Sequence, residues 1–216
     1  NDPLFSAQWA LKNTGQNQGT AGIDINYLPA REVTQGSSDI IVAVLDHGTQ
    51  LDHPDLNVSS KSYDTETGRS PSQIWGNHGT ACSGIISAKT NNNLGVAGIA
   101  PNCPVMSISN QLMGTSDAPQ KRADGFNWAW RNGASVISNS WRSSTFSELL
   151  EDAIQSAMTN GRNGLGCVVT FSAGNYDSNT VGYPARSLPD IIVVGALSLS
   201  GKRKSSTTID NEGWWG

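Results

Sequence analysis

The sequence has no Cys-x-x-Cys pair, no block of lysines and arginines, and no apolar run long enough to cross a membrane. With only three cysteines, at 82, 103 and 167, the first absence excludes a dense disulfide framework and a zinc knuckle. A formal net charge of −4 without a basic run excludes the electrostatic footprint of a nucleic-acid or anionic-membrane partner. The third absence excludes a transmembrane helix. The N-terminus, Asn1-Asp2-Pro3-Leu4-Phe5, also lacks the charged-then-apolar pattern of a signal peptide and reads as a mature, processed start. No repeat period, low-complexity tract or interdomain linker interrupts the chain, so its 216 residues read as one domain, 1–216, with a substantial core.

What is present is organised around Ile40-Ile41-Val42-Ala43-Val44-Leu45-Asp46-His47-Gly48-Thr49. An unbroken aliphatic run of this length predicts a strand buried on both faces, as inside a parallel sheet. The run stops at Asp46, and a glycine follows where the backbone can turn. In open α/β sheets ligands bind beyond the carboxyl ends of such strands, which makes Asp46 a candidate site residue. Taken alone, a carboxylate there is equally well explained as the cap of the next turn.

Further strands are predicted over 105–109, 136–140, 167–171 and 191–194. Between them run helical patterns. In 147–160 Leu149, Leu150, Ala153, Ile154, Ala157 and Met158 recur at helical spacing, with Glu148 in the first turn and Gly161 past the end. Weaker patterns cover 79–88 and 122–132, and Pro29 suits the first turn of a short helix over 28–34. Strands alternating with helices predict an α/β fold, a mostly parallel central sheet with helices on both faces.

A second segment, Asn77-His78-Gly79-Thr80-Ala81-Cys82-Ser83-Gly84, puts a histidine at the start of a small-residue helix. A general base needs a fixed ring, and a buried carboxylate on one ring nitrogen selects the tautomer that leaves the other nitrogen free. Asp46 is the candidate carboxylate. Otherwise, a histidine at a helix start is a cap or a packed surface ring.

Six segments together carry a family resemblance. Val42-Ala43-Val44-Leu45-Asp46-His47-Gly48, His53-Pro54-Asp55-Leu56, His78-Gly79-Thr80, residues 91–101 (NNNLGVAGIAP), Ser138-Asn139-Ser140-Trp141 and Ser172-Ala173-Gly174-Asn175 resemble the subtilisin-like serine proteases, in the family's order and at about its spacings. The resemblance implies that Asp46 orients the imidazole, that His78 is general base and then general acid, and that Asn175 is the oxyanion-hole amide. It also implies that Ser140-Trp141 and Ser172-Ala173-Gly174 are the two walls of the primary specificity pocket, pairing with an extended peptide or protein substrate. Outside such a motif, Asn175 after Gly174 is an ordinary turn residue.

The resemblance further implies a structural calcium site, built from Asn92 and the carbonyls of Leu94 and Val96 with Asp55 completing the shell. Asp2 corresponds to the N-terminal acid of thermitase-like members. Without the resemblance, Asn91-Asn92-Asn93 is an ordinary polar loop. Secretion to the extracellular space also follows from the family and the apparent processed start, not from composition.

Several positions depart from the pattern. His47 replaces the small hydroxyl usual after the catalytic Asp, which leaves the hydrogen bonding of Asp46 open. Cys82, one helical turn past His78, is similar to the thiol of proteinase K-like and kexin-like branches, and equally suits a buried cysteine packed as a small apolar residue. Arg142 stands where glycine is usual; it narrows the cleft, recruits an acidic substrate group, or points into solvent.

The largest departure is the nucleophile. The family's serine lies in a Gly-Thr-Ser-Met-Ala-x-Pro segment opening a buried central helix, and that segment does not occur here. Gly114-Thr115-Ser116-Asp117-Ala118-Pro119 imitates it, but precedes the pocket strands, reads as a surface loop and leads into Gln120-Lys121-Arg122, a poor start for a buried helix. The expectation is therefore a serine endopeptidase whose serine is supplied by a second polypeptide or a cleaved C-terminal piece, this chain alone being inactive. The alternative is a non-catalytic relative that binds peptides by strand addition. A metal hydrolase using Asp46, His47, His53 and His78 is a weaker reading, since no two of these histidines share helical ligand spacing. Dinucleotide binding is weaker still, because no Gly-x-Gly-x-x-Gly follows the first strand.

Overall fold

A computed structural model describes residues 2–205. Six strands form one parallel sheet in the order β2-β3-β1-β4-β5-β6: β1 (Ile41–Asp46), β2 (Tyr63–Asp64), β3 (Val105–Ser109), β4 (Ala134–Asn139), β5 (Val168–Ser172) and β6 (Ile192–Val194). The four α-helices are α1 (Tyr27–Val33), α2 (His78–Ser87), α3 (Ala118–Arg131) and α4 (Glu148–Gly164).

The aliphatic run at 40–46 folds as it does because both faces of β1 are covered. Side chains alternate along a strand, and Ala43 and Leu45 join Met106, Ile108, Ile137, Val169 and Phe171 in the main core, beneath Phe126 of α3 and Leu150 and Ile154 of α4. The other parity, Val42, Val44 and Asp46, faces α2. That helix lies close because Gly79, Ser83, Gly84 and Ser87 form its buried side. Hydroxyls pin it: Ser83 Oγ donates to the Gly79 carbonyl at 2.8 Å and lies 2.7 Å from Thr49 Oγ1, while Ser87 Oγ donates to the Cys103 carbonyl at 2.5 Å.

β1 is also where the strand order turns back. The chain lays β2 and β3 to one side of it, then crosses to put β4 on the other. A crevice opens at the carboxyl ends of strands flanking such a reversal.

The α/β expectation agrees with this architecture, and the differences are local. β2, only two residues long, carries no periodicity for a sequence reading to find. Helix α3 begins at Ala118, four residues before the predicted 122, because Pro119 occupies the first turn, where its missing N–H costs nothing. The Gln120-Lys121-Arg122 stretch thus does open a half-buried helix: Arg122 is only 2% exposed. Helix α4 starts as predicted, with Ser147 Oγ accepting from the Leu150 amide at 3.3 Å and Glu148 and Glu151 in the first turn. Its regular geometry ends at Gly161, after which Arg162 and Asn163 take positive φ.

Candidate active site

Asp46 is the last residue of β1 and wholly buried. Its Oδ1 accepts the His47 amide at 2.7 Å, so backbone supplies one of its hydrogen bonds whatever side chain stands at 47. His78, the first residue of α2, points its Nδ1 at both carboxylate oxygens, 2.9 Å from each. Its side chain is 53% exposed, and among the described residues no group hydrogen-bonds its Nε2. The ring is therefore held on one side and open on the other.

Two glycines make this approach possible. Gly48 turns the chain after β1 at φ +92, and a Cβ there would strike the Gln73 carbonyl. A Cβ on Gly79 would strike the Gly48 carbonyl oxygen, too close for any L side chain. The start of α2 thus rests directly on the backbone that follows the carboxylate.

Cys82 lies one turn along α2, its Sγ 3.7 Å from His78 Nδ1 and 3.7 Å from Ser140 Oγ. Burial, then the charge of Asp46, pushes its thiol pKa up, against a smaller lowering by the Ser140 contact. Asp46, His78 and Cys82 are the one histidine, cysteine or acid cluster at metal-ligand spacing among the described residues. His47 stands edge-on to His78 with ring centroids 6.3 Å apart, and His53 turns away to accept the Asp55 amide at 3.2 Å, so the four-residue metal set Asp46, His47, His53 and His78 is not assembled.

The predicted substrate residues fall around one crevice. Ser140, Ser172, Gly174 and Asn175 line a cavity of about 310 Å³ with Ser138 and Asn139. Asn175 is exposed at its edge. Ala173 and Gly174 also border an adjoining cavity of about 560 Å³. Trp141 differs: its ring packs between Phe126 and Phe171, and its indole N–H donates to the Leu45 carbonyl at 3.0 Å, so it offers the crevice only its backbone. Ser116, the imitation nucleophile, is exposed in the turn before α3 and makes no bond to His78.

Sequence reading passed over Asn139. It is 2% exposed, donates from Nδ2 to the carbonyls of Ile137 and Thr170, and leaves its buried Oδ1 without a partner among the described residues. Its signals were its place in the Ser138-Asn139-Ser140-Trp141 motif and a polar residue closing a largely buried strand.

Three of the predicted calcium-site residues, Asp2, Asn92 and Asp55, lie along one run of hydrogen bonds. Asp2 accepts the amides of Asn91 and Asn92 at 3.0 and 3.1 Å, and Asn92 Nδ2 donates to buried Asp55 Oδ1 at 2.7 Å. Asn92 Oδ1 accepts the Leu94 amide at 3.0 Å, and half-buried Val96 follows in the same loop. Gly95 adopts φ +41, and a Cβ there would press on Asp55 Oδ2, so the space beside that oxygen is kept clear. Two carboxylates, a side-chain amide oxygen and a glycine-cleared space suit a hard cation.

A family model described as "Subtilase family" matches residues 37–214. A "Calcium-dependent protease" of Nostoc sp. (strain PCC 7120) is 31% identical over 97% of this chain and 34% of its own length. A "Thermophilic serine proteinase" of Bacillus sp. (strain AK1) is 34% identical over 98% of this chain and 51% of its own length. The chain thus spans a third to a half of these curated relatives. A solved protease of Pseudoalteromonas arctica PAMC 21717 superposes with a TM-score of 0.76 at 28% identity, covering 94% of this chain and 67% of that one. With the family model matching residues 37–214 and relatives more than 30% identical along nearly its whole length, the chain belongs to the subtilase family.

Proposed function

We propose that this chain carries the Asp-His part of a serine endopeptidase of subtilisin type, with Asp46 as the orienting carboxylate, His78 as base and acid, and Asn175 as the oxyanion donor. One observation carries the reading: a buried carboxylate grips one imidazole nitrogen at 2.9 Å, while the ring is 53% exposed and its other nitrogen has no hydrogen-bond partner among the described residues. With Nδ1–H committed to Asp46, Nε2 is the basic nitrogen. It takes the proton of a serine hydroxyl as the serine oxygen attacks the substrate carbonyl, and the Asn175 amide donates to the oxygen that becomes negative. The imidazolium then gives that proton to the departing amine, and water repeats the sequence on the acyl-enzyme.

By the family resemblance the serine lies on a Gly-Thr-Ser-Met-Ala-x-Pro segment that is not among these 216 residues. On our reading a second polypeptide or a cleaved C-terminal piece supplies it. Peptide binds along Ser140-Trp141 and Ser172-Ala173-Gly174. Calcium is held by Asp2, Asp55 and Asn92 with the carbonyls of Leu94 and Val96, fixing the N-terminal segment to the loop that precedes β3. Secretion is proposed from the family; no helix among the described residues is long and apolar enough to cross a membrane.

Fluorophosphonate labelling of the full protein, with the intact mass of every polypeptide in it, tests this. The expected result is one labelled serine and peptide hydrolysis, with labelling strongly slowed in His78→Ala. An intact, folded assembly that takes no label and cleaves no peptide would instead be a peptide-binding relative without chemistry.

A further inference from the structure

The two cavities beside Arg142 are lined by cations and by no acid. The larger, of about 560 Å³, has Arg142, Arg186, Arg203 and Lys204 on its walls; the smaller, of about 180 Å³, has Arg122 and Arg142. Five of the chain's 14 lysines and arginines therefore meet here, and none of its 18 aspartates and glutamates lines either space, in a protein of net charge −4. Composition alone predicts the opposite.

Arg142 is common to both cavities and is held in place. Its guanidinium lies over the Tyr176 ring, 3.8 Å from the centroid. Its stem lies along Gly182, where a Cβ would stand 3.2 Å from Arg142 Cβ. Stacking occupies the face of the guanidinium and leaves its edge N–H groups free for a carboxylate. Among the described residues Arg142 and Arg186 have no ion pair. Arg203 differs, being paired with Asp177 at 3.0 Å. Arg122, at the smaller cavity, is buried against Trp141, its guanidinium carbon 4.8 Å from the ring centroid. Its Nη2 donates to the Met113 carbonyl at 3.2 Å, and its buried Nε has no partner among the described residues. Burying a guanidinium with an unpaired N–H is costly, and here the nearby charge of Glu66 offsets only part of the burial, which still lowers the Arg122 pKa.

Resting on the peptidase reading, we propose that this cleft selects acidic peptide segments, with Arg142 as the residue that decides. The larger cavity shares Gly174, Gly195 and Ala196 with the space that holds Asn175. On this proposal a substrate with its carbonyl at the Asn175 amide extends the side chain of its own residue, on the acyl side of the cut, past Ala173 and Gly174, which border the larger cavity. Aspartate or glutamate there meets the open edge of Arg142, with Arg186 adding long-range attraction. A second acidic residue upstream is received at the smaller cavity by Arg122 and Arg142.

The test uses the full protease with its serine and a set of fluorogenic peptides differing only in the residue on the acyl side: Glu, Asp, Gln, Leu and Phe. Expected is a kcat/KM at least about tenfold higher for Glu than for its isostere Gln, the size of one charge-assisted hydrogen bond. In Arg142→Gly that ratio collapses toward unity, and in Arg142→Lys, which keeps charge but loses the stack, it is intermediate. Equal rates on Glu and Gln, or a ratio unmoved by Arg142→Gly, overturn the proposal while the peptidase reading stands. If no peptide is cleaved and no fluorophosphonate is taken up, the peptidase reading fails. Fluorescence anisotropy with a labelled Glu-rich peptide then decides this one: binding that weakens with salt and is lost in Arg142→Gly upholds it, and no binding overturns it.

Discussion

Gly79 rests against Gly48 so closely that no side chain fits between them, which ties the first turn of α2 to the backbone leaving β1. Since His78 and Asp46 sit one and two residues from this contact, their 2.9 Å geometry depends on a site with no chemistry of its own. Gly79→Ala is predicted to push the helix start outward and lower kcat about 100-fold, the usual cost of roughly 1 Å of misplacement. The measurement is kcat beside a thermal unfolding midpoint. A folded variant with undiminished kcat would refute the coupling.

Asp46→Asn keeps the shape of the buried group but reverses which imidazole nitrogen carries the proton. Turnover should fall about 10⁴-fold, because Nε2 becomes the protonated nitrogen and no longer accepts from a hydroxyl. Steady-state kinetics on a neutral peptide checks this; a loss under tenfold argues against the assigned role.

For Asn175→Ala the expectation is a kcat lower by about 10²–10³-fold with KM little changed, since the amide strengthens its bond only as the oxyanion forms. A variant that raises KM and leaves kcat alone would reassign Asn175 to substrate binding.

Cys82 gives a pH test. Burial and the neighbouring Asp46 charge raise its thiol pKa, and the thiolate is the reactive form. At pH 7 alkylation of Cys82 should thus be slower than that of an ordinary exposed thiol, and it should accelerate only as pH rises beyond the ordinary thiol range. Rates followed by mass spectrometry from pH 6 to 10 report the trend; rapid labelling at neutral pH would contradict it.

Calcium should stabilise the fold by mass action, about 2.7 kcal/mol at a free concentration 100 times the dissociation constant. The thermal midpoint is expected to rise with calcium in the native protein and much less in Asp55→Asn, which removes one anionic ligand. Identical midpoints in calcium and in chelator would dismiss the site.

Much of this arrangement was legible beforehand because it is periodic or punctuated. The aliphatic run ending at Asp46, the 3.6-residue pattern of α4 with Ser147 before it, and the small-residue face of α2 each encode local structure that packing then respects. The two-residue strand β2 was invisible, since its register is set by Ile108 and Ser109 of β3, far along the chain. Arg122 reads as solvated in any window of sequence, yet α3 turns it inward beneath Trp141.

By itself the sequence determined the α/β class and the alternation of strands and helices apart from β2, because hydrophobic period and turn chemistry act over neighbouring residues, while the family resemblance of its motifs marked which carboxylate, imidazole and amide were candidates. Only the tertiary structure decided that the Trp141 ring belongs to the core, that backbone supplies the second bond to Asp46, and that scattered cations gather around Arg142. Those outcomes depend on which surfaces the folded sheet brings together, and contacts between residues distant in sequence leave no local period to read.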